Sequence, residues 1–134
     1  MLPRIVAEAA RRFGDRAAFR LPSGAPLSYR ALDRASNEVA AGLAARGLGE
    51  GDVLLLSLPS GPEYAVAYLA AAKVGAVTAG ANPRLRARER GLVADAVSPT
   101  LVLATEALTV GIPGDVVVER SEEHTSELQS RETI

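Results

Sequence analysis

No cysteine occurs in the 134 residues, which excludes disulfides, thiolate catalysis and zinc sites built on Cys. Lysine is nearly missing too: Lys73 is the only one, and every other basic residue is arginine. That bias fits GC-rich bacterial codon usage better than a phosphate-binding specialisation. Neither sign of charge is in excess, with 15 Lys and Arg against 16 Asp and Glu. Nothing therefore favours nucleic acid or an anionic membrane as partner. Long apolar runs are also lacking. The least polar stretch, Tyr64 to Ala81, is broken by Lys73 and Gly75 and is rich in Ala and Gly, whereas a membrane span takes about 20 strongly apolar residues. The amino terminus, MLPRIVAEAARRFGDR, is charged and amphipathic, without the apolar core of a secretion signal. Histidine is absent from residues 1–119, so Ser57 and Ser60 have no imidazole base there for nucleophilic catalysis.

What is present is enough apolar material, 48% of the chain, to build one globular core. Ile5, Ala9 and Phe13 lie one helical turn apart, with Val6 and Ala10 beside them, and predict a short amphipathic helix ended by Gly14. Ala17–Leu21 and Ala25–Ser28 flank Pro22-Ser23-Gly24 and predict a small hairpin. Ser28 is placed to cap a long helix, Tyr29–Arg46, whose apolar stripe is Leu32, Ala35, Val39 and Leu43. Gly47 follows at a position suited to left-handed backbone. Val53–Leu58 is an unbroken apolar run of strand length, which predicts a parallel strand covered on both faces. Pro62 suits the first turn of a helix reaching about Val74, and Glu63 adds favourable charge there. Ala76–Ala81 predicts the next strand, Ala87–Val97 a helix, Leu101–Ala104 a strand, and Asp115–Glu119 a further one. Strand, helix, strand, helix, strand in this order predicts an α/β fold of βαβ units, with a mainly parallel sheet flanked by helices and a small hairpin before it.

Nucleotide-binding signatures fail on inspection. Gly75 and Gly80 have the glycine spacing of a phosphate loop, but Ala81-Asn82 stand where Lys and a hydroxyl are needed, and the segment reads as strand. Gly47, Gly49 and Gly51 precede their strand and have the wrong spacing for a dinucleotide fingerprint. Pro59-Ser60-Gly61-Pro62 lies where a strand enters a helix, a place able to hold anions, although one glycine marks a tight turn as readily. The carboxylates Glu8, Asp15, Asp33, Glu38, Glu63, Glu89 and Asp95 fall mostly on helix faces, and solvated charge is expected for each. No residue of the chain is assigned by this reading to catalysis, cofactor binding or metal ligation. An autonomous, non-catalytic α/β domain that binds a small ligand or a protein at the carboxyl ends of its strands stays open as an alternative.

Composition changes abruptly at residue 120. Residues 120–134 contain the only His (His124) and the only Gln (Gln129), with no Ala, Gly, Val or Pro. The run RSEEHTSELQS resembles a sequencing adapter translated in frame. The expected division is therefore residues 1–119 as one truncated domain portion and residues 120–134 as a non-native tail. Lacking apolar periodicity, that tail is expected to be disordered.

A further resemblance bears on residues 1–119. Gly51-Asp-Val-Leu-Leu-Leu-Ser-Leu-Pro-Ser-Gly-Pro-Glu63, then Ala70-Ala-Ala-Lys-Val-Gly-Ala-Val77 and Ala81-Asn-Pro-Arg84, resemble the AMP-forming acyl-CoA synthetases of the adenylate-forming superfamily. Arg12–Ala18, Leu27–Leu32 and Leu101–Thr105 resemble further segments of that family in its own order. Where the family often has Glu three residues after the helix cap, this chain has Ala31, which forgoes a capping-box bond to the backbone of Ser28. The resemblance implies that residues 1–119 are the truncated amino-terminal part of an AMP-binding synthetase domain, the amino-terminal portion of the family's large domain. It implies ATP-dependent activation of a fatty or aryl carboxylic acid with Mg²⁺, giving an acyl-adenylate, and thioester formation with coenzyme A. It further implies a cytoplasmic setting, and that the family's ATP-handling groups lie downstream of these segments. The 134 residues alone are then expected to be inactive, with no cofactor of their own, and to self-associate through exposed strand edges.

Overall fold

The computed structural model describes residues 2–20, 23–112 and 118–120. In chain order the elements are α1 (Leu2–Phe13), β1 (Ala17–Arg20), β2 (Pro26–Ser28), α2 (Tyr29–Ala45), β3 (Val53–Ser57), α3 (Pro62–Lys73), β4 (Val77–Gly80), α4 (Ala87–Val97), β5 (Leu101–Ala104), a 3₁₀ turn (Glu106–Thr109) and β6 (Val118–Arg120). β1 and β2 pair antiparallel as the expected hairpin; Leu21, expected to end the first strand, and Pro22, expected to begin the turn, lie outside the described residues. The other strands form one parallel sheet in the order β4-β3-β5-β6. Leu55 faces Ala79 on one side and Val102 on the other.

The unbroken apolar run of β3 is explained by what covers it. Leu54, Leu56 and Leu58 pack with Ala67, Ala70 and Ala71 of α3 and with Ala40 and Leu43 of α2. Leu55 points the opposite way and packs with Ala94 of α4 and with Val102. Alternate side chains of a strand leave opposite faces, so α3 and α4 lie on opposite faces of the sheet. Leu54, Leu55 and Leu56 are each fully buried, and each burial stabilises the fold by about 2 kcal/mol. Alanine supplies most of the helical surface, which lets the helices approach the sheet closely.

The helix ends follow the local chemistry. Ser28 accepts a hydrogen bond from the Ala31 N–H at 3.0 Å and so caps α2. Gly47 adopts φ +90° just past the end of that helix. Pro62 occupies the first turn of α3, and Glu89 accepts from the Arg86 N–H at 2.9 Å at the start of α4. One expected face is rotated. In α1 it is Val6 that is buried, against Leu27, Leu32, Val66 and Leu69, while Ile5 is 57% and Phe13 42% exposed. The buried stripe lies one residue from the Ile5–Ala9–Phe13 line because α1 meets α2 and α3 together, and the joint between them takes Val6. β6 holds Val118–Arg120; of the strand expected over Asp115–Glu119, residues 115–117 lie outside the described residues. Arg120, opposite Ala104 in the ladder, is the last described residue. The segment 121–134 lies outside them. Among the described residues, no helix is long and apolar enough to cross a membrane.

Candidate functional site

All strands of the parallel sheet end on one edge, and the connections leaving that edge are Leu58–Gly61 after β3, Ala81–Arg86 after β4 and Thr105–Ile112 after β5. The chain leaves β3 for α3 on one face and leaves β4 for α4 on the other. Adjacent strands whose connections part in this way open a crevice beyond their carboxyl ends, where open α/β sheets take ligands. This edge is the candidate site.

Its walls are held by side chains that reach across the sequence. Ser57, fully buried at the end of β3, donates its hydroxyl to the Leu108 carbonyl at 2.8 Å. That bond commits Ser57 to structure and removes it as a nucleophile, while Ser60 sits exposed in the turn before α3. Asn82 folds the connection after β4: its side-chain oxygen accepts from the Arg84 N–H at 2.9 Å and its carbonyl from the Leu85 N–H at 3.0 Å. Arg90, only 7% exposed, donates from Nε to the Val110 carbonyl at 2.9 Å and from Nη1 to the Leu85 carbonyl at 2.6 Å. Behind it the segment after β5 is pressed onto α4. Gly111 has φ +92°, and a Cβ there would stand 1.9 Å from the Ala87 carbonyl oxygen. A Cβ on Gly91 would meet the Gly111 carbonyl oxygen at 2.6 Å.

Lys73 lies in the last turn of α3, away from this edge. Its ammonium is 2.8 Å from Asp33 Oδ1, 2.7 Å from Ser36 Oγ, 2.7 Å from Asn37 Oδ1 and 3.2 Å from the Asp33 carbonyl, all on α2. Three N–H donors cannot serve four acceptors fully at once, so the longest contact is the weakest. Asp33 is therefore no solvated surface charge: its side chain is 24% and that of Lys73 12% exposed. Other carboxylates expected to be solvated are exposed but engaged, Asp15 with Arg30 and Glu8 with Arg11. The hydrogen bond from Arg11, and then its charge, hold the Glu8 carboxyl below the usual carboxylate range. An open groove of about 520 Å³ runs along α1, lined by Arg4, Ile5, Ala7, Glu8 and Arg11, and none of these lies on a connection at the carboxyl edge.

The sequence reading missed Arg90. The signal was there: Ala87, Arg90, Ala94 and Val97 form one helical stripe, and a charged residue inside an apolar stripe implies a buried role. Among the described residues, no group of three or more His, Cys, Asp or Glu could hold a metal ion.

A family model described as AMP-binding enzyme matches residues 6–133. The chain is similar to 4-coumarate–CoA ligase 5 of Oryza sativa subsp. japonica, 37% identical over 92 residues, covering 69% of this chain and 17% of the relative. It is also similar to a salicyl-AMP ligase / salicyl-S-ArCP synthetase of Mycobacterium tuberculosis, 38% identical over 111 residues, covering 79% of this chain and 20% of the relative. The stretch shared with this chain is thus only 17% and 20% of the length of these two curated relatives. Among solved structures, the Klebsiella oxytoca NpsA N-terminal subdomain in complex with anthranilyl-AMSN superposes with a TM-score of 0.80 at 27% identity, over 92% of this chain and 31% of that one.

Proposed function

Because the chain belongs to the AMP-binding enzyme family, we propose that it forms one βαβ portion of a two-step, AMP-forming ligase acting on a small carboxylic acid. In that reaction the acid carboxylate attacks the α-phosphate of ATP with Mg²⁺ present. Pyrophosphate leaves, and a thiol displaces AMP from the acyl-adenylate. The contribution of this chain is scaffold: a parallel sheet whose carboxyl edge forms part of the wall around the reactants. The similarity to two acid-activating ligases, together with the superposition on the NpsA N-terminal subdomain, is the observation that supports this reading. Coenzyme A is the proposed thiol, on the example of the 4-coumarate–CoA ligase. The name of the salicyl relative puts a carrier protein next in line. ATP and coenzyme A supply favours the cytoplasm. The 134 residues alone are proposed to lack turnover, and the outer edge of β4, where Val77 is 57% exposed, is proposed to favour self-association.

The test is product analysis. The uninterrupted chromosomal reading frame containing residues 1–119 is expressed and incubated with ATP, Mg²⁺, coenzyme A and, in turn, 4-coumarate, salicylate, benzoate and a medium-chain fatty acid. AMP and an acyl-CoA thioester are expected from at least one acid. AMP with an adenylate but no thioester would shift the acceptor to a carrier protein. ADP as product, or tight binding of an acid with no nucleotide cleavage, would remove the ligase reading in favour of another ATP-dependent enzyme or a binding domain.

A further inference from the structure

We infer that Arg90 is a positioning residue of the candidate site, joining the two connections that leave β4 and β5 at the carboxyl edge; the inference rests on the ligase reading above. One guanidinium donates to Leu85 in the first connection and to Val110 in the second. Its two bonds come from different nitrogens of a rigid plane, so the separation and direction of the two carbonyls are fixed together. The second connection is also anchored from the sheet, through Ser57 and Leu108. The first has its own turn bonds at Asn82. Arg90 thus bonds to both connections at once.

Packing alone does not explain an arginine here. Its neighbours on the stripe, Ala87, Ala94 and Val97, are apolar. Taking a guanidinium out of water is costly unless its donors are used, and an apolar side chain of similar volume would fill the space without that cost. Among the described residues no carboxylate forms an ion pair with Arg90. What the guanidinium provides is a pair of directed donors to backbone carbonyls, and their consequence is the relative placement of two loops at the mouth of the crevice. Lysine carries its three donors on one atom, so it does not hold two of them at the fixed separation of Nε and Nη1 in the guanidinium plane.

Two readouts separate this from a general structural role. Amide hydrogen exchange of the 134-residue chain needs no activity. In Arg90→Met, exchange is expected to rise about tenfold at both the Leu85 amide and the Leu108 and Ile112 amides, while the α2 and α3 amides keep their protection. Ser57→Ala is expected to loosen only the connection after β5. Arg90→Lys is expected to restore one connection and leave the other loose. If Arg90→Met does not fold, the Lys variant decides by the same pattern. Exchange rising equally across the whole fold, or at neither connection, would overturn the inference. The second readout is kinetic, on the product of the reading frame. Arg90→Met is expected to raise KM for the acid or for ATP about tenfold or more, beyond any fall in kcat, because a misplaced wall weakens ligand placement. A fall in kcat with both KM values unchanged would also overturn it. Absence of any acid-dependent turnover in the unsubstituted protein would sink the ligase reading and leave the exchange pattern to decide the role of Arg90.

Discussion

Two buried cations, one on each side of the sheet, show how position along the strands changes what a charge is for. Lys73 ends α3 at the edge where β4 begins and meets a carboxylate, a hydroxyl and an amide on α2. It ties helix to helix, and the arrangement is electrically self-contained. Arg90 lies near the start of α4, beside the carboxyl ends of the strands, and among the described residues it bonds to backbone carbonyls of two connections. In a parallel sheet with helical crossovers, the starts of the helices and the ends of the strands share one edge. A cation at a helix start is therefore next to the loops that can line a site, and one at a helix end is next to scaffold.

The comparison is most severely strained by closing the space behind Arg90. Gly111→Val places a side chain against the Ala87 carbonyl at a backbone angle unfavourable to it. A loss of about 4 kcal/mol in urea unfolding is expected, with the connection after β5 displaced. Lys73→Met comes next, at about 2–3 kcal/mol, because Asp33 keeps a half-buried charge without its partner. This change is expected to lower the melting temperature while leaving hydrogen exchange in the carboxyl-edge connections near its original rate. Loosening of those connections by Lys73→Met would abolish the distinction between the two cations. Ser57→Ala is smaller, about 1–2 kcal/mol, since it deprives the buried Leu108 carbonyl of its donor. Smallest, and opposite in sign, is Ala31→Glu. It completes a capping box at the start of α2 and is expected to stabilise by about 0.5 kcal/mol, without effect on the Arg90 side. Circular dichroism melts of the four variants rank them in this order.

Legibility in the sequence divides along the same line. The helix Ala87–Val97 and the strand Leu101–Ala104 are found within the residues that periodicity assigned to them. β3 and β4 end within a residue of the expected limits, because Leu58, Ala76 and Ala81 pack or hydrogen-bond at the strand ends without extending the ladder. Period and turn residues are local properties, and they carry that much. The Lys73–Asp33 lock spans 40 residues, the Ser57–Leu108 bond 51 and the Arg90–Val110 bond 20. No local pattern names such partners, and so the lone lysine read as an ordinary helix residue. Arg90 was missed as well, although its place in an apolar stripe is a local signal of burial. The candidate site was legible only as an edge: the order of strands and helices fixes where the crevice opens, and the residues that shape it come from folds of the chain back onto itself.

The most direct test is acid-dependent ATP–pyrophosphate exchange, run side by side on the 134-residue chain and on the product of the uninterrupted chromosomal reading frame. Exchange by the reading-frame product with at least one carboxylic acid, and none by the 134 residues alone, is the expected result. Exchange by the short chain, or none by the reading-frame product across aromatic and fatty acids, would contradict the account.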